Sequence, residues 1–516
     1  MTQQQLEQAA DLRLAGNALF KSKDFEGAID KYTAALEKLG DLDCDEAKSV
    51  RAAVHSNRAL MFLKTEAYGA AEQDASECLK LGNPKGYYRR ACASLNMGKF
   101  AAARKDFRKV VALYPRDQSA AAQLKACEKL LRQQRVLAAL SRDENVQIDW
   151  RTIIVEDSYD GPRLRDEKDD FAVDVAFCEH LTRHFRAEKR LHRRYAVALL
   201  MRAIDHFRRQ STLLRIAMPE DTAEEEAQFT VVGDTHGQYY DLLNLFEQFG
   251  MPSETNPYLF NGDFVDRGSF SVEIALLLLA WKLALPQSVY MLRGNHETSA
   301  MNQMYGFAGE VKHKYDSQVM ALFKEAFEAM PLAAVVAPAA ALHDDSPRVT
   351  EKPEVLTGGS DGSGKNGRVF VTHGGVPSGP VTLKDIEDTK RFRQPPENGI
   401  MCELLWNDPG MHQGLQASKR GVGHSFGSDV TEAFCERNNL AFVVRSHEVK
   451  MAGYQLQHGG RLATVFSAPN YCDQSGNQAA VCRFDAELRP SFLQFCAVPH
   501  PPVPPMKYAN AGMFGF

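Results

Sequence analysis

Three stretches within the first 132 residues repeat one pattern, and that self-similarity restricts the fold of the N-terminal quarter more than composition could. They begin at Ala15 (AGNALFKSKDFEGAIDKYTAAL), Ser56 (SNRALMFLKTEAYGAAEQDASECL) and Arg89 (RRACASLNMGKFAAARKDFRKVV). In each, a small residue (Gly16, Ala59, Ala91) is followed nine positions later by an aromatic (Phe25, Tyr68, Phe100) and then by another small residue (Ala28, Ala71, Ala103). The aromatics stand 43 and 32 residues apart, bracketing a helix–turn–helix period of about 34 with extra residues between the first two copies. Pro115 closes the third copy. Such helix pairs cannot bury their apolar faces alone, so they stack and leave a concave groove on one side. A generic alanine-rich bundle is the bland alternative, but three aligned copies are hard to obtain from composition. The pattern predicts an α-solenoid over residues 6–132, three repeats plus an extension helix that begins at Gln118.

The texture changes twice beyond the repeats. SRDENVQIDW and DSYDGPRLRDEKDD are polar, with Gly161 and Pro162 as breakers, and predict a linker over 133–165. From Phe171, two helical stretches (about Phe177–Phe185 and Leu191–Leu214) lead into short apolar runs alternating with helical patterns. FTVVGD, YLFNGDFVD, VYMLRGNHE, RVFVTHGG, FVVRSHE and TVFSAPN each read as an apolar strand ending in polar residues. That alternation predicts an α/β domain over 166–499, with its chemistry at the strand ends. A segment rich in Gly, Ser, Pro and charge, 337–367, reads as a mobile surface insertion. Residues 500–516 follow Pro499 with Pro501, Pro502, Pro504 and Pro505, which favour an extended strap, and the glycines of the terminal AGMFGF disfavour a helix.

Composition enters mainly by exclusion. With 516 residues the chain has room for about two to four domains. A net charge of −5 predicts neither a nucleic-acid groove nor an anionic-membrane surface. The longest apolar run, Ile274–Leu285, is broken by Lys282 and falls short of the ~18–20 residues a bilayer crossing needs, so no membrane span is expected. Ten cysteines without a CxxC pair, in a chain whose start (MTQQQLEQAA) lacks the features of a secretory leader, predict reduced thiols in the cytoplasm or nucleus.

The strand ends hold the residues a two-metal site requires. Asp234 and His236 lie in GDTHG, Asp263 in NGDFVDRG, Asn295 in RGNHE, His373 in VTHGG and His447 in RSHE. One such residue alone would more often be a cap or a satisfied loop polar. Six, each after an apolar run and several flanked by glycine, point to two cations ~3.5–4 Å apart sharing a bridging carboxylate. Oxygen and imidazole donors without cysteine suit Mn²⁺, Mg²⁺, Fe or Zn²⁺ used as a Lewis acid, and disfavour a thiolate structural zinc site.

GDTHGQ, GDFVDRG, RGNHE, HGG, SKRGV, RSHE and SAPNYCD occur in the order and approximate spacing of the phosphoprotein phosphatase family of metal-dependent serine/threonine phosphatases, which the chain resembles over about residues 10–510 apart from the insertion. The repeats resemble tetratricopeptide repeats. The resemblance implies an all-α tetratricopeptide solenoid followed by an α/β metallophosphoesterase domain, a central β-sandwich flanked by helices. It implies that Asp234, His236 and Asp263 bind one metal and Asp263, Asn295, His373 and His447 the second, with Asp263 bridging two divalent ions, Mn²⁺ or Mg²⁺ in vitro. The implied reaction is in-line attack on a phosphoseryl or phosphothreonyl protein by a hydroxide that the metals activate, with no phosphoenzyme. His296 would protonate the leaving oxygen, Asp266 would orient His296, Arg267 and Arg420 would clamp the phosphoryl oxygens, and Tyr471 would line the pocket. Blander roles are an Asp partner for Arg267, a solvated basic turn with Ser418 and Lys419 for Arg420, and a packed aromatic for Tyr471.

For the repeats, resemblance to tetratricopeptide co-chaperones implies a clamp for the acidic C-terminal peptide of the ninety-kilodalton heat-shock chaperone, formed by Arg13, Asn17, Asn57, Lys85 and Arg89. Arg13 departs from the lysine common there, keeping charge but not hydrogen-bond geometry. The family is autoinhibited, and Glu66 falls where it places an acid facing the catalytic groove. A monomer is expected. A phosphodiesterase on the same fold and a catalytically silent adaptor are the competing functions.

Overall fold

The computed structural model describes residues 2–140, 148–167, 170–219, 227–345 and 367–509. Two compact units divide the chain, one built on residues 1–145 and the other on 146–416 and 424–509.

Seven helices make the first unit: α1 (Thr2–Lys21), α2 (Phe25–Leu39), α3 (Asp45–Lys64), α4 (Tyr68–Lys80), α5 (Lys85–Asn96), α6 (Phe100–Leu113) and α7 (Gln118–Leu140). The three repeat aromatics are the first residues of α2, α4 and α6. The residue two positions before each, Lys23 (φ 65°), Glu66 (φ 59°) or Gly98 (φ 73°), takes the left-handed conformation that turns one helix into the next. The small residues mark close approach: a Cβ on Gly16 would stand 2.6 Å from the Tyr32 ring, and Ala28, Ala59, Ala71, Ala91 and Ala103 are wholly buried. Charged pairs repeat as well. Arg58 on α3 grips Asp74 on α4, and Arg90 on α5 grips Asp106 on α6, each through Nε at 2.7 Å.

The second unit begins earlier than the polar texture suggests. Ile148, Ile153, Val155 and Tyr159 pack on its core, and Trp150 is 7 % exposed with the Arg194 guanidinium over its ring. These apolar residues follow no helical or strand period and stand among acids, so sequence reasoning assigns them to a linker although their side chains belong to the core of the second unit.

The strands are β1 (Arg165–Glu167), β2 (Asp170–Ala172), β3 (Leu213–Ala217), β4 (Phe229–Val232), β5 (Tyr258–Phe260), β6 (Val289–Met291), β7 (Ala333–Ala337), β8 (Val369–Thr372), β9 (Asp408–Pro409), β10 (Leu415–Ala417), β11 (His424–Phe426), β12 (Phe442–Arg445), β13 (Tyr454–Gln457), β14 (Leu462–Val465), β15 (Ala479–Phe484) and β16 (Pro490–Phe495). Two sheets form the sandwich, with orders β13-β14-β12-β8-β7-β3 and β16-β15-β4-β5-β6. Val231, Leu259, Val371, Val444, Val465 and Cys482 meet between them, while Val232, Phe260, Phe370 and Val443 face outward onto helices. Strands covered on both faces are apolar throughout, which is why the six runs read as continuous rather than alternating.

All six runs are strands, and they run the same way. β4, β5 and β6 are mutually parallel, as are β8, β12 and β14, and a parallel bridge between Asp234 and Phe466 ties the two sheets at their carboxyl ends. Six loops therefore open at one edge.

Two further sequence readings need correction. The helical stretch expected over Leu191–Leu214 ends at Arg208, and Leu213 and Leu214 begin β3. The helix stops where Arg391, 184 residues beyond Phe207, donates to the carbonyls of Phe207 (2.8 Å) and Gln210 (2.6 Å), a cap that no local pattern reveals. The insertion is narrower than 337–367. Ala337 completes β7, and Asp345 pairs with Arg215 (2.7 Å) and Arg368, while 346–366 lie outside the described residues. The C-terminal strap contains no helix or strand over 497–509, and AGMFGF lies outside the described residues.

Candidate active site

Glycines allow the loops at the sandwich edge to converge. A Cβ on Gly262 would stand 2.5 Å from Gly294 N, and one on Gly294 would stand 2.2 Å from Asp263 Oδ1, so the loops after β5 and β6 touch backbone to backbone. Asp263 (φ 51°), His236 (φ 40°), Asp266 (φ 70°), Arg267 (φ 70°) and His447 (φ 71°) all occupy the left-handed region. Such backbone costs energy and persists where its surroundings over-determine it. Here one residue supplies much of that constraint. The buried Glu297 carboxylate accepts the backbone N–H groups of Asp263 (2.8 Å), Phe264 (2.9 Å) and Gly294 (2.8 Å), clamping both loops.

The six expected ligands meet. His236 Nε2 is 3.6 Å from Asp234 Oδ2 and 3.6 Å from Asp263 Oδ2, and His373 Nε2 is 3.3 Å from Asp263 Oδ2. The His447 N–H donates to Asp234 Oδ1 at 3.0 Å. His236 Nδ1 donates to Val265 O (3.0 Å) and His373 Nδ1 to Asn261 O (2.8 Å), which fixes each proton on Nδ1 and turns the Nε2 lone pair inward. Burial holds His373 below its ordinary value and His236 well below it, keeping both rings neutral.

The fit to a cation is tested at Asn295. Its side-chain oxygen lies 2.8 Å from His373 Nε2, 2.9 Å from His447 Nδ1 and 3.0 Å from Asp263 Oδ2. With the oxygen inward the amide faces acceptors; turning the amide over would let its nitrogen donate to the same atoms, whereas a positive ion held among them would keep the oxygen inward. The same electrostatics appear at Asp234, pushed up to about 7 by burial and by the neighbouring Asp263. Asp263 stands in both candidate groups of ligand atoms, with His236 and His296 on one side and His373 and His447 on the other.

His296 borders this cluster, its ring centroid 4.7 Å from that of His236. Its Nδ1 is 2.9 Å from Asp266 Oδ2. Asp266 is fully buried, pushed up to about 7 by burial, and accepts from Phe307 N–H (2.9 Å) and Asn302 Nδ2 (3.2 Å). Asn302 also donates to the His296 carbonyl (2.6 Å), fixing both members of the pair. Tyr471 lies against the site, its ring 5.1 Å from His236. The Arg267 guanidinium stacks 3.9 Å from the Tyr305 ring centroid. Arg420 sits in the turn between β10 and β11, its N–H donating to Ser418 Oγ (3.1 Å).

In the repeat unit, Asn57 Nδ2 donates to Asn17 Oδ1 (3.0 Å), and Tyr32 OH donates to the same oxygen (2.7 Å). Lys85 is exposed at the start of α5, and Arg89 lies one turn along, half-buried, its pKa lowered by burial. Lys64 is depressed by burial and by the Arg89 charge, so a third cation stands close to Arg89. Arg13 is half-buried on α1, and its charge is felt at Tyr32. Glu66 occupies the left-handed turn position before α4.

Comparison with known proteins places this geometry in a family. The calcineurin-like phosphoesterase model matches residues 227–451, a tetratricopeptide-repeat model matches 84–117 and the PPP5 TPR repeat region model matches 124–215. Serine/threonine-protein phosphatase 5 of Homo sapiens is 45% identical over 514 residues, covering 98% of this chain and 94% of the human one. The chain belongs to the serine/threonine-protein phosphatase 5 family. Serine/threonine-protein phosphatase T of Trypanosoma brucei brucei is 41% identical, covering 99% of both chains. A solved Saccharomyces cerevisiae protein serine/threonine phosphatase, described as similar to human phosphatase PP5, matches with a TM-score of 0.54 and 38% identity, over 63% of this chain and 96% of that one.

Sequence reasoning misses several residues at this phosphatase 5-type site. Glu297 lies inside RGNHE, where an acid beside two metal-site candidates invites no separate role. Asn302 stands on a helix seven residues after Asn295 with nothing to distinguish it. Lys64 had a signal: it ends α3 on the side of the repeats that bears Arg89.

Proposed function

We propose that this chain is a metal-dependent serine/threonine protein phosphatase whose repeats recruit the acidic C-terminal peptide of a chaperone and restrain the catalytic unit. Family membership supports the phosphatase reading, and the observation that carries its metal dependence is the pair of buried groups of ligand atoms that share Asp263, with His236 on one side and His373 and His447 on the other. Asp234, His236 and Asp263 would hold one divalent ion and Asp263, Asn295, His373 and His447 the other, with Mn²⁺ or Mg²⁺ as the ions to supply in vitro. Bound there, such ions supply Lewis acidity toward phosphoryl oxygens and make a site water acidic.

The remaining roles belong to the chain. Arg267 and Arg420 present guanidinium forks to the phosphoryl oxygens, matching their planar donors to the charge that grows on the transferring group. His296, held at Nδ1 by Asp266, delivers a proton from Nε2 to the departing seryl or threonyl oxygen. Tyr471 covers one side of the pocket and excludes water. In the repeat unit, Arg13, Lys85 and Arg89 supply charge, and Asn17 and Asn57 supply amides, for a peptide carboxylate.

The test uses the full chain with Mn²⁺ on a phosphoseryl peptide and on bis-p-nitrophenyl phosphate. Preferential turnover of the peptide, abolished by chelation and by Asp263→Asn, is expected. Equal turnover after chelation, or preference for the diester, would overturn the reading. An acidic peptide ending in a free carboxylate should raise basal activity, and its C-terminal amide should not.

A further inference from the structure

Arg267 is 5 % exposed, and its surroundings come from two distant parts of the chain. From one side, its N–H donates to the Tyr305 carbonyl (3.1 Å), and the Tyr305 ring lies under the guanidinium at 3.9 Å. From the other comes the C-terminal strap. Met506 N–H donates to the Arg267 carbonyl at 2.7 Å, and Met506 Sδ lies 3.9 Å from Arg267 Nη1. The strap has no helix or strand to hold Met506 there and depends on fasteners. Val498 N–H donates to Asp241 Oδ1 (2.9 Å) and Ser269 Oγ donates to the Pro504 carbonyl (2.7 Å). The Tyr508 carbonyl lies so close to Gly309 that a Cβ there would stand 2.2 Å from it, and the Tyr508 ring stacks by His313 at 5.2 Å. Apart from Asp241, these fasteners lie on the loop that carries Asp266 and Arg267 and on the helix whose first N–H, from Phe307, binds Asp266.

The residue type suits the position. A carboxylate beside Arg267 would fix the guanidinium and also neutralise it, competing with a phosphoryl group for its donors. A thioether is a weak acceptor that fills space and engages one N–H without adding a negative charge that would compete with an incoming anion. An aromatic face below and a thioether beside it orient the fork at little cost in affinity for phosphate.

We infer that Met506 is a positioning residue for Arg267, so that the C-terminal strap is a working part of the phosphate-binding site. This rests on the reading of Arg267 as a phosphoryl-binding group, and the test separates the two. In the full chain with Mn²⁺, Met506→Ala should raise KM for a phosphoseryl peptide and Ki for inorganic phosphate about five- to tenfold while kcat stays within about twofold. Met506→Leu, which keeps the bulk, should recover most of that loss. In an Arg267→Ala background Met506→Ala should add nothing further, because coupled residues are not additive. Gly309→Ala, which dislodges Tyr508 without touching Arg267, should reproduce the Met506→Ala pattern and serves if that variant folds poorly. If Arg267→Ala raises KM and Ki but Met506→Ala and Gly309→Ala do not, Met506 has no positioning role. If Arg267→Ala itself leaves both constants unchanged, the phosphoryl-binding reading fails instead.

Discussion

The repeat helices and the edge of the sandwich treat buried charge in opposite ways. Between the repeat helices each buried acid meets a cation of the protein: Asp74 is gripped by Arg58 and His55, and Asp106 by Arg90. At the sandwich edge, Asp234 and Asp263 lie beside one another and beside imidazole lone pairs, with burial and mutual repulsion pushing Asp234 up to about 7. The first arrangement is complete as a protein and serves the fold. The second is unfavourable for the polypeptide alone and becomes favourable when charge is supplied from outside, which is what a metal centre is in electrostatic terms.

Asp263→Asn breaks this contrast most strongly. It keeps the side-chain shape and removes the charge shared by both groups of ligands, so phosphopeptide turnover should fall by at least ~10³-fold. In chelator the same change relieves a repulsion, so the melting temperature should hold or rise. A variant that loses both activity and metal-free stability would mean that Asp263 serves the fold.

Arg58→Ala asks the same question of the repeat unit and should give the opposite answer. It strands Asp74, which is 3 % exposed, without its main partner, and breaking a buried pair costs about 3 kcal/mol or more. Faster hydrogen exchange in α3 and α4 would register the loss, with no change expected in the metal affinity of the second unit.

The contrast also explains what was legible beforehand. The cluster at the sandwich edge could be read because each of its residues follows an apolar run, and parallel strands deliver their ends to one edge whatever the loops between them do. The repeat helices could be read because the small–aromatic–small spacing recurs. Residues that act across the chain could not. Arg391 caps a helix 184 residues away, and Trp150 and Tyr159 join a core from a segment without period. Glu297 and Asn302 hold backbone groups, and nothing in their spacing says which. Met506 lies among prolines that point only to an extended chain.

Acid should expose the paired type of burial. Burial alone would raise Asp74, but hydrogen bonds from Arg58 and His55 more than offset it and hold the carboxyl below its ordinary value. A folded-state pKa below the unfolded one means stabilisation that is complete above the ordinary carboxylate pKa and is lost as pH falls through the folded value. Exchange protection in α3 and α4, corrected for intrinsic rates, should therefore decline on acidification below the ordinary carboxylate range. Asp74→Asn should be less protected at neutral pH and flatter across that range.

The smallest effect concerns Glu66, whose position joins the two kinds of role. It occupies the left-handed turn that Gly98 fills in the next repeat, with φ 59° against 73°. A side chain other than glycine pays ~1 kcal/mol for that conformation, so Glu66→Gly should be neutral to mildly stabilising once the added freedom of the unfolded chain is counted. Glycine, however, removes strain and carboxylate together. Glu66→Asn separates them, because asparagine tolerates the left-handed region and carries no charge. If Glu66 restrains the catalytic unit, as the family resemblance implies, both variants should raise basal turnover of a phosphoseryl peptide by about the same modest factor, roughly twofold, since that shift needs only ~0.4 kcal/mol. A rise with glycine but not with asparagine would trace the effect to the turn, and no rise with either would leave Glu66 as a turn residue alone.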